Sequence, residues 1–134
     1  MQWEPKMATG IAKIDAQHKE LIRRINKLLD AMKEGQGREM VGEVLEFLGR
    51  YVVEHFADEE ALMKKYGYPK YPEHKAIHDR FKKEFEALAA ENEKRAGSLS
   101  LTLQVQNKVV DWLRNHIMNV DVKMAAQLKE KGAA

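Results

Sequence analysis

The sequence predicts an all-α fold, an antiparallel up-down-up-down four-helix bundle with a short non-helical arm at its N-terminus. Four long segments repeat their apolar residues in steps of three and four, the spacing that lines one face of an α-helix. Each segment ends at glycine or proline, and the breaks between segments are short. Short connections between long amphipathic helices make successive helices antiparallel neighbours. Ala, Leu, Lys, Glu and Met are abundant, which favours helix, and the β-branched residues form no alternating runs.

Residues 1 to about 10 are expected to form the arm, with Trp3 packed against the bundle as its anchor. The first helix is expected from about Ile14 to Lys33, with Ile14, Leu21, Ile25, Leu28 and Met32 facing inward. Gly35-Gln36-Gly37 then turns the chain. A second helix follows from about Arg38 to Tyr66, carrying Val44, Leu48, Val52 and Leu62 on its inner side, and Gly67-Tyr68-Pro69 ends it. The third starts at about Pro72, a residue suited to a first helical turn, and runs to about Glu93 with Ile77, Phe81, Phe85 and Leu88 inside. Gly97-Ser98 breaks the chain again, and Ser98 or Ser100 can cap the next helix. That fourth helix is expected from about Leu101 to Lys131, with Val105, Val109, Leu113 and Met124 inward.

The 134 residues, 44% of them hydrophobic, suit one domain spanning residues 1–134 with a real core. A net charge of +2, from 23 basic and 21 acidic side chains, leaves no electrostatic footprint for nucleic acid or anionic lipid. Runs such as Lys82-Lys83-Glu84 read as solvated helix faces. With no cysteine, disulfides, thiolate zinc sites and iron–sulfur clusters are excluded. The N-terminal residues do not resemble a signal peptide, and no apolar stretch approaches membrane-spanning length, so a soluble cytoplasmic protein is expected. No long exposed apolar stripe is evident, and a monomer is expected.

The five histidines, His18, His55, His74, His78 and His116, all fall on or beside apolar seams. One such residue is ordinarily a satisfied core histidine. Five together are different, because their spacing matches metal ligation. His55 and Glu59 are four apart, as are His74 and His78, so each pair shares a helix face. Counted from the turns that join helices one to two and three to four, His18, His55, His78 and His116 lie 15 to 17 residues along their helices. At 1.5 Å per residue that is about 22 to 26 Å, so four helices deliver imidazoles to one layer. Burying five imidazoles and the carboxylates of Glu59 and Asp121 without a metal would be costly. Imidazole suits iron, zinc or copper, and carboxylates can bridge two cations. Seven donors exceed what one four-coordinate zinc takes and suit a pair of ions.

His116 and Asp121 do not fit a regular helix. Five residues are about 500° of rotation, which leaves the two side chains about 140° apart. A wide, π-type turn near Asn119 would bring both to one site.

The pattern of one His in the first helix, His55-x-x-x-Glu59, His74-x-x-x-His78 and His116-x-x-x-x-Asp121 resembles the ligand set of the hemerythrin family, with every ligand present. Gly10-Ile11-x-x-Ile14-Asp15-x-Gln17-His18, Glu59-x-x-x-Met63, Tyr66-Gly67-Tyr68 and Trp112-Leu113-x-x-His116-Ile117 resemble that family's surroundings, so the match extends from Trp3 to about Met124. The resemblance implies two non-haem iron ions (Fe2+/Fe3+) with an oxo or hydroxo bridge. His74, His78 and His116 would hold one iron, His18 and His55 the other, and Glu59 and Asp121 would bridge them. The second iron would be one ligand short, and that vacancy would bind dioxygen reversibly. By the same resemblance Phe56, Trp112, Leu113 and Ile117 would line the oxygen pocket, although each also suits plain core packing. Met124 stands where the family often carries a tyrosine, which bears on the rate of autoxidation.

The implied function is an oxygen carrier, storage or delivery protein and not an enzyme. An oxygen-using enzyme remains open as a protein partner. One alternative is a di-iron oxidase or peroxidase, but such bundles ordinarily use carboxylate-rich Glu-x-x-His sites, whereas this set is nitrogen-rich. Another is an oxygen or redox sensor module. A metal-free structural bundle is disfavoured by the ligand spacing.

Overall fold

The computed structural model describes residues 1–35 and 38–133. Helix α1 spans Ala12–Lys33, α2 Arg38–Lys65 and α3 Tyr71–Arg95. The fourth helix, α4 (99–130), is continuous but not uniform. Its α-helical stretches Leu99–Val105, Trp112–His116 and Val122–Glu130 are separated by two wide π turns, Gln106–Asp111 and Ile117–Asp121. There is no strand among the described residues. Helix α1 packs on α2, α2 on α3 and α3 on the start of α4, which gives the expected antiparallel four-helix bundle.

The helix ends are set by glycine and serine. Gly67 takes φ +64, and the Tyr68 N–H donates to the Met63 carbonyl at 2.9 Å, closing α2 with a left-handed glycine. Gly97 follows α3 with φ +77, and there the Ser98 N–H donates to the Arg95 carbonyl at 3.1 Å. Ser98 Oγ then accepts from the Leu101 N–H at 3.0 Å and caps α4. Replacing Ser98 with Ala is expected to cost about 1 kcal/mol, read as a lower melting temperature with unchanged metal content. Of the predicted turn Gly35-Gln36-Gly37, Gly35 has φ +68, and Gln36 and Gly37 lie outside the described residues.

The N-terminal arm contains one 3-10 turn, Pro5–Met7, packed against the second π turn. Trp3 is half-buried against the core with Lys19 Nζ 4.9 Å from its ring, as an anchor should be. The deeper anchor is Met7, which is fully buried. Asp15, in the first turn of α1, accepts from the Thr9 N–H and hydroxyl at 2.8 Å each, and Glu4 pairs with Arg114 at 2.7 Å.

The buried apolar residues form two clusters. The larger holds Leu21, Ile25, Leu28, Leu45, Leu48, Val52, Phe56, Phe81, Leu88, Val105, Leu113 and Ile117, among others. The smaller holds Ile11, Ile14, Met63, Tyr68, Met124, Ala125, Leu128 and Ala133. Along α1 the order is Ile14, His18, Leu21; along α2 it is Phe56, Glu59, Met63; along α4 it is Ile117, Asp121, Met124. A polar layer therefore crosses the bundle between two apolar interiors.

Candidate metal centre

All seven residues expected to ligate metal meet in that layer, and all are buried: His18, His55, Glu59, His74, His78, His116 and Asp121. Each arrives for a local reason. His55 and Glu59 are one turn apart on α2, and Glu59 Oε2 lies 3.1 Å from His55 Nε2. His74 and His78 are one turn apart on α3, with ring centroids 4.6 Å apart. His18 enters from α1.

His116 and Asp121 face the same layer because α4 widens between them. The Val122 N–H bonds to the Ile117 carbonyl, five residues back. The extra residue in this turn removes the angular mismatch that five-residue spacing creates in a regular helix, and Asp121 Oδ1 comes to 3.1 Å from His116 Nε2.

The donors divide into two groups, within each of which the donor atoms lie within 4.8 Å of one another. One group is His74, His78, His116, Glu59 and Asp121; the other is His18, His55, Glu59 and Asp121. Both carboxylates belong to both groups, one oxygen to each. Glu59 Oε1 lies 3.3 Å from His78 Nε2, while its Oε2 lies 3.3 Å from His18 Nε2. Asp121 Oδ1 lies 3.1 Å from His74 Nε2, while its Oδ2 lies 3.1 Å from His18 Nε2.

The charges within the cluster lean on one another. Burial alone would lower the His18 pKa, but the carboxylates of Asp121 and Glu59 raise it to about 10. Burial pushes the Glu59 carboxyl up, and the rings of His55, His18 and His78 overcome this and hold it well below the usual carboxylate range. His116 is raised and Asp121 lowered by their mutual attraction, again against burial.

Protons and carboxylates thus offset one another without completing the site. The Nε2 atoms of all five histidines and all four oxygens of Glu59 and Asp121 are buried without a hydrogen-bond partner. Buried polar atoms are normally satisfied. Nine convergent orphans of the types that ligate iron are what a pair of metal ions would satisfy.

Aromatic rings fix the imidazole planes. Phe56 stacks on His78 with centroids 3.8 Å apart and planes 2° from parallel, and its centroid is 6.1 Å from that of His55. Trp112 stacks on His116 at 4.6 Å and on Phe81 at 4.0 Å. Leu113 and Ile117 are buried in the larger apolar cluster, which also contains Leu21, one turn along α1 from His18.

Three residues that spacing alone does not mark support the cluster from behind. His55 Nδ1–H donates to Gln17 Oε1 at 2.7 Å, and Gln17 Nε2 donates to Asp58 Oδ2 at 2.6 Å. His78 Nδ1–H donates to Glu60 Oε2 at 2.9 Å. The available signal was Asp58-Glu59-Glu60, three consecutive acids on a helix whose middle member is buried.

The model of the hemerythrin HHE cation binding domain matches residues 9–128. The chain belongs to the hemerythrin family. It is 36% identical over 124 residues to the bacteriohemerythrin of Methylococcus capsulatus, covering 90% of this chain and 91% of that protein. It is 30% identical over 131 residues to the myohemerythrin of Theromyzon tessulatum, covering 95% and 92%. A crystal structure of a leucine-to-alanine hemerythrin mutant superposes with a TM-score of 0.84 at 32% identity, covering 96% of each chain. Hemerythrin proteins form a non-haem iron, oxygen-binding family, and their domain implies a di-iron centre, which the buried cluster here is able to hold. No helix among the described residues is long and apolar enough to cross a membrane.

Proposed function

We propose that this hemerythrin-family chain binds dioxygen reversibly at its di-iron centre, acting in oxygen carriage, storage or delivery and not in turnover of a substrate. The observation that carries this reading is the unequal division of donors, five in one group and four in the other, across two shared carboxylates. His74, His78 and His116 would hold one iron, His18 and His55 the other, with Glu59 and Asp121 joining the two. When bound, a ferrous pair would supply two electrons to dioxygen, taken up on the side with four donors.

The chain's own residues would then keep that position selective. Five imidazoles against two carboxylates give the centre little anionic charge, which disfavours the high-valent iron that cleaving the O–O bond requires. Leu113 and Ile117, both buried, would exclude water and small anions from the pocket. Phe56 and Trp112, lying flat on His78 and His116, would hold two ligand rings in plane, and Phe56, whose centroid is 6.1 Å from that of His55, would also wall the pocket. Met124, fully buried in the smaller cluster, brings no hydroxyl to the site.

The direct test is the absorption spectrum of the anaerobically reduced protein, taken before air, after air and after oxygen is removed. A band that forms in air and vanishes on deoxygenation supports the reading. A protein that passes to the ferric form without a releasable adduct, and oxidises an added reductant catalytically, would make it an oxidase.

Leu113→Ala and Ile117→Ala probe the walls. Each is expected to cost about 2–5 kcal/mol of stability, to retain both irons and the initial oxygen band, and to lose that band several-fold faster. Decay at the parental rate in both variants would reduce these side chains to core packing.

A further inference from the structure

The hydrogen bonds behind the histidines differ between the two halves of the centre. A neutral imidazole has one N–H, so a ring whose Nδ1–H donates outward must present a free Nε2 lone pair inward. Both His55 and His78 are arranged this way, but their acceptors differ in charge. For His78 the acceptor is the Glu60 carboxylate at 2.9 Å. For His55 it is the amide oxygen of Gln17 at 2.7 Å.

An amide alone could face the ring with either end, because its oxygen and nitrogen are nearly the same shape. Asp58 decides the matter, since a carboxylate only accepts and it lies 2.6 Å from Gln17 Nε2. One turn of α2 organises both halves. Successive residues on a helix point about 100° apart, so Glu59 faces the centre while Asp58 reaches Gln17 on α1 and Glu60 reaches His78 on α3.

We propose that Gln17, oriented by Asp58, and Glu60 are positioning residues that fix His55 and His78 in the tautomer with Nε2 free, and that the amide behind one and the carboxylate behind the other make the two halves unequal donors. This rests on the ligand assignment proposed above. An imidazole backed by a carboxylate is a stronger donor than one backed by a neutral carbonyl. The half with five donors therefore also has an anion directly on one of its rings, while in the half with four an amide stands between ring and carboxylate. Both differences act in the same direction: the metal beside His18 and His55 is held more loosely and remains the one that accepts an external ligand.

The first variant exchanges the pair without changing net charge, and the second removes one negative charge. Gln17→Glu combined with Asp58→Asn places a carboxylate directly on His55 Nδ1 and keeps a donor behind it; Glu60→Gln replaces the carboxylate behind His78 with an amide. Release of iron from the anaerobic reduced protein to a chromophoric ferrous chelator is followed in time, alongside iron content and melting temperature.

The parent is expected to release iron in two phases. The exchanged pair should slow the fast phase about ten-fold and leave the slow phase alone. Glu60→Gln should speed the slow phase about ten-fold and leave the fast one alone. If the exchanged pair does not fold, Gln17→Ala serves in its place and should speed the fast phase only. Unchanged phases, or two phases that move together with the melting temperature, would overturn the proposal. Failure of the underlying assignment reads differently: the parent would hold fewer than two irons, or His55→Ala would keep both release phases.

Discussion

Glu59→Ala is expected to take the protein from two irons per chain toward none. Glu59 turns one oxygen to each donor group, Oε1 toward His78 and Oε2 toward His18 and His55. Its removal takes one donor from each group and halves the anionic charge available to two buried cations. Breaking a buried charge pair from one side costs roughly 3–5 kcal/mol, which is about two to four powers of ten in affinity. Asp121→Ala should behave in the same way, because its oxygens divide likewise. His18→Ala removes a single neutral donor from one group and should leave the iron on the three-histidine side in place. The measurement is the ratio of iron to chain after purification and dialysis. A Glu59→Ala protein with two irons beside a His18→Ala protein with none would reverse the proposed roles.

Removing the metal from the parent should have the second large effect. Each ion held at a hundred times its dissociation constant adds about 2.7 kcal/mol to folding, so two add about 5. For a chain of this size, at roughly 4 °C per kcal/mol, the melting temperature should fall by on the order of 20 °C on chelation. The pH dependence should change as well. Without metal, His18 is held at about 10 in the folded chain against an ordinary 6.5. A histidine raised in this way contributes stability that is fully present below its unfolded value and lost as pH rises through the folded one. The metal-free protein should therefore weaken between pH 6.5 and about 10. With iron on its Nε2, His18 has no such proton to lose, and the loaded protein should lack this alkaline decline. Melting curves of both forms across that range check the effect, and parallel profiles would count against His18 as a ligand.

Much of this was legible in the residues. The three- and four-residue apolar steps placed four helices close to their observed ends. The five-residue gap between His116 and Asp121 announced the wide turn at Ile117–Asp121, because a regular helix could not aim both inward. The other wide turn, Gln106–Asp111, was not anticipated, since Val105, Val109 and Leu113 follow steps of four that a regular helix satisfies. Its one trace is the adjacent buried pair Val109 and Val110. Met7 was missed as the arm's deepest residue because a short stretch of irregular chain has no periodicity to read. The roles of Gln17, which the sequence marks only as part of the stretch before His18, and of Asp58 and Glu60 were hidden for another reason: they depend on how α1 and α3 sit against α2, and that is decided by packing across helices rather than spacing along one.

The polar layer between the two apolar clusters acts as a bulkhead. A side chain in a close-packed interior must fit its neighbours, so a change in volume is taken up, in part, by the side chains packed around it. Here the wall limits that exchange. An altered Leu48 must be accommodated among the larger set, and an altered Met124 by Ile14, Met63 or Tyr68. Substitutions on opposite sides should combine additively, as distant sites do, and the two interiors can drift in sequence separately. What they cannot do is shift a helix along its axis. Each of the four helices passes through the wall carrying at least one donor, so repacking on either side is confined to side chains while the backbones stay in register.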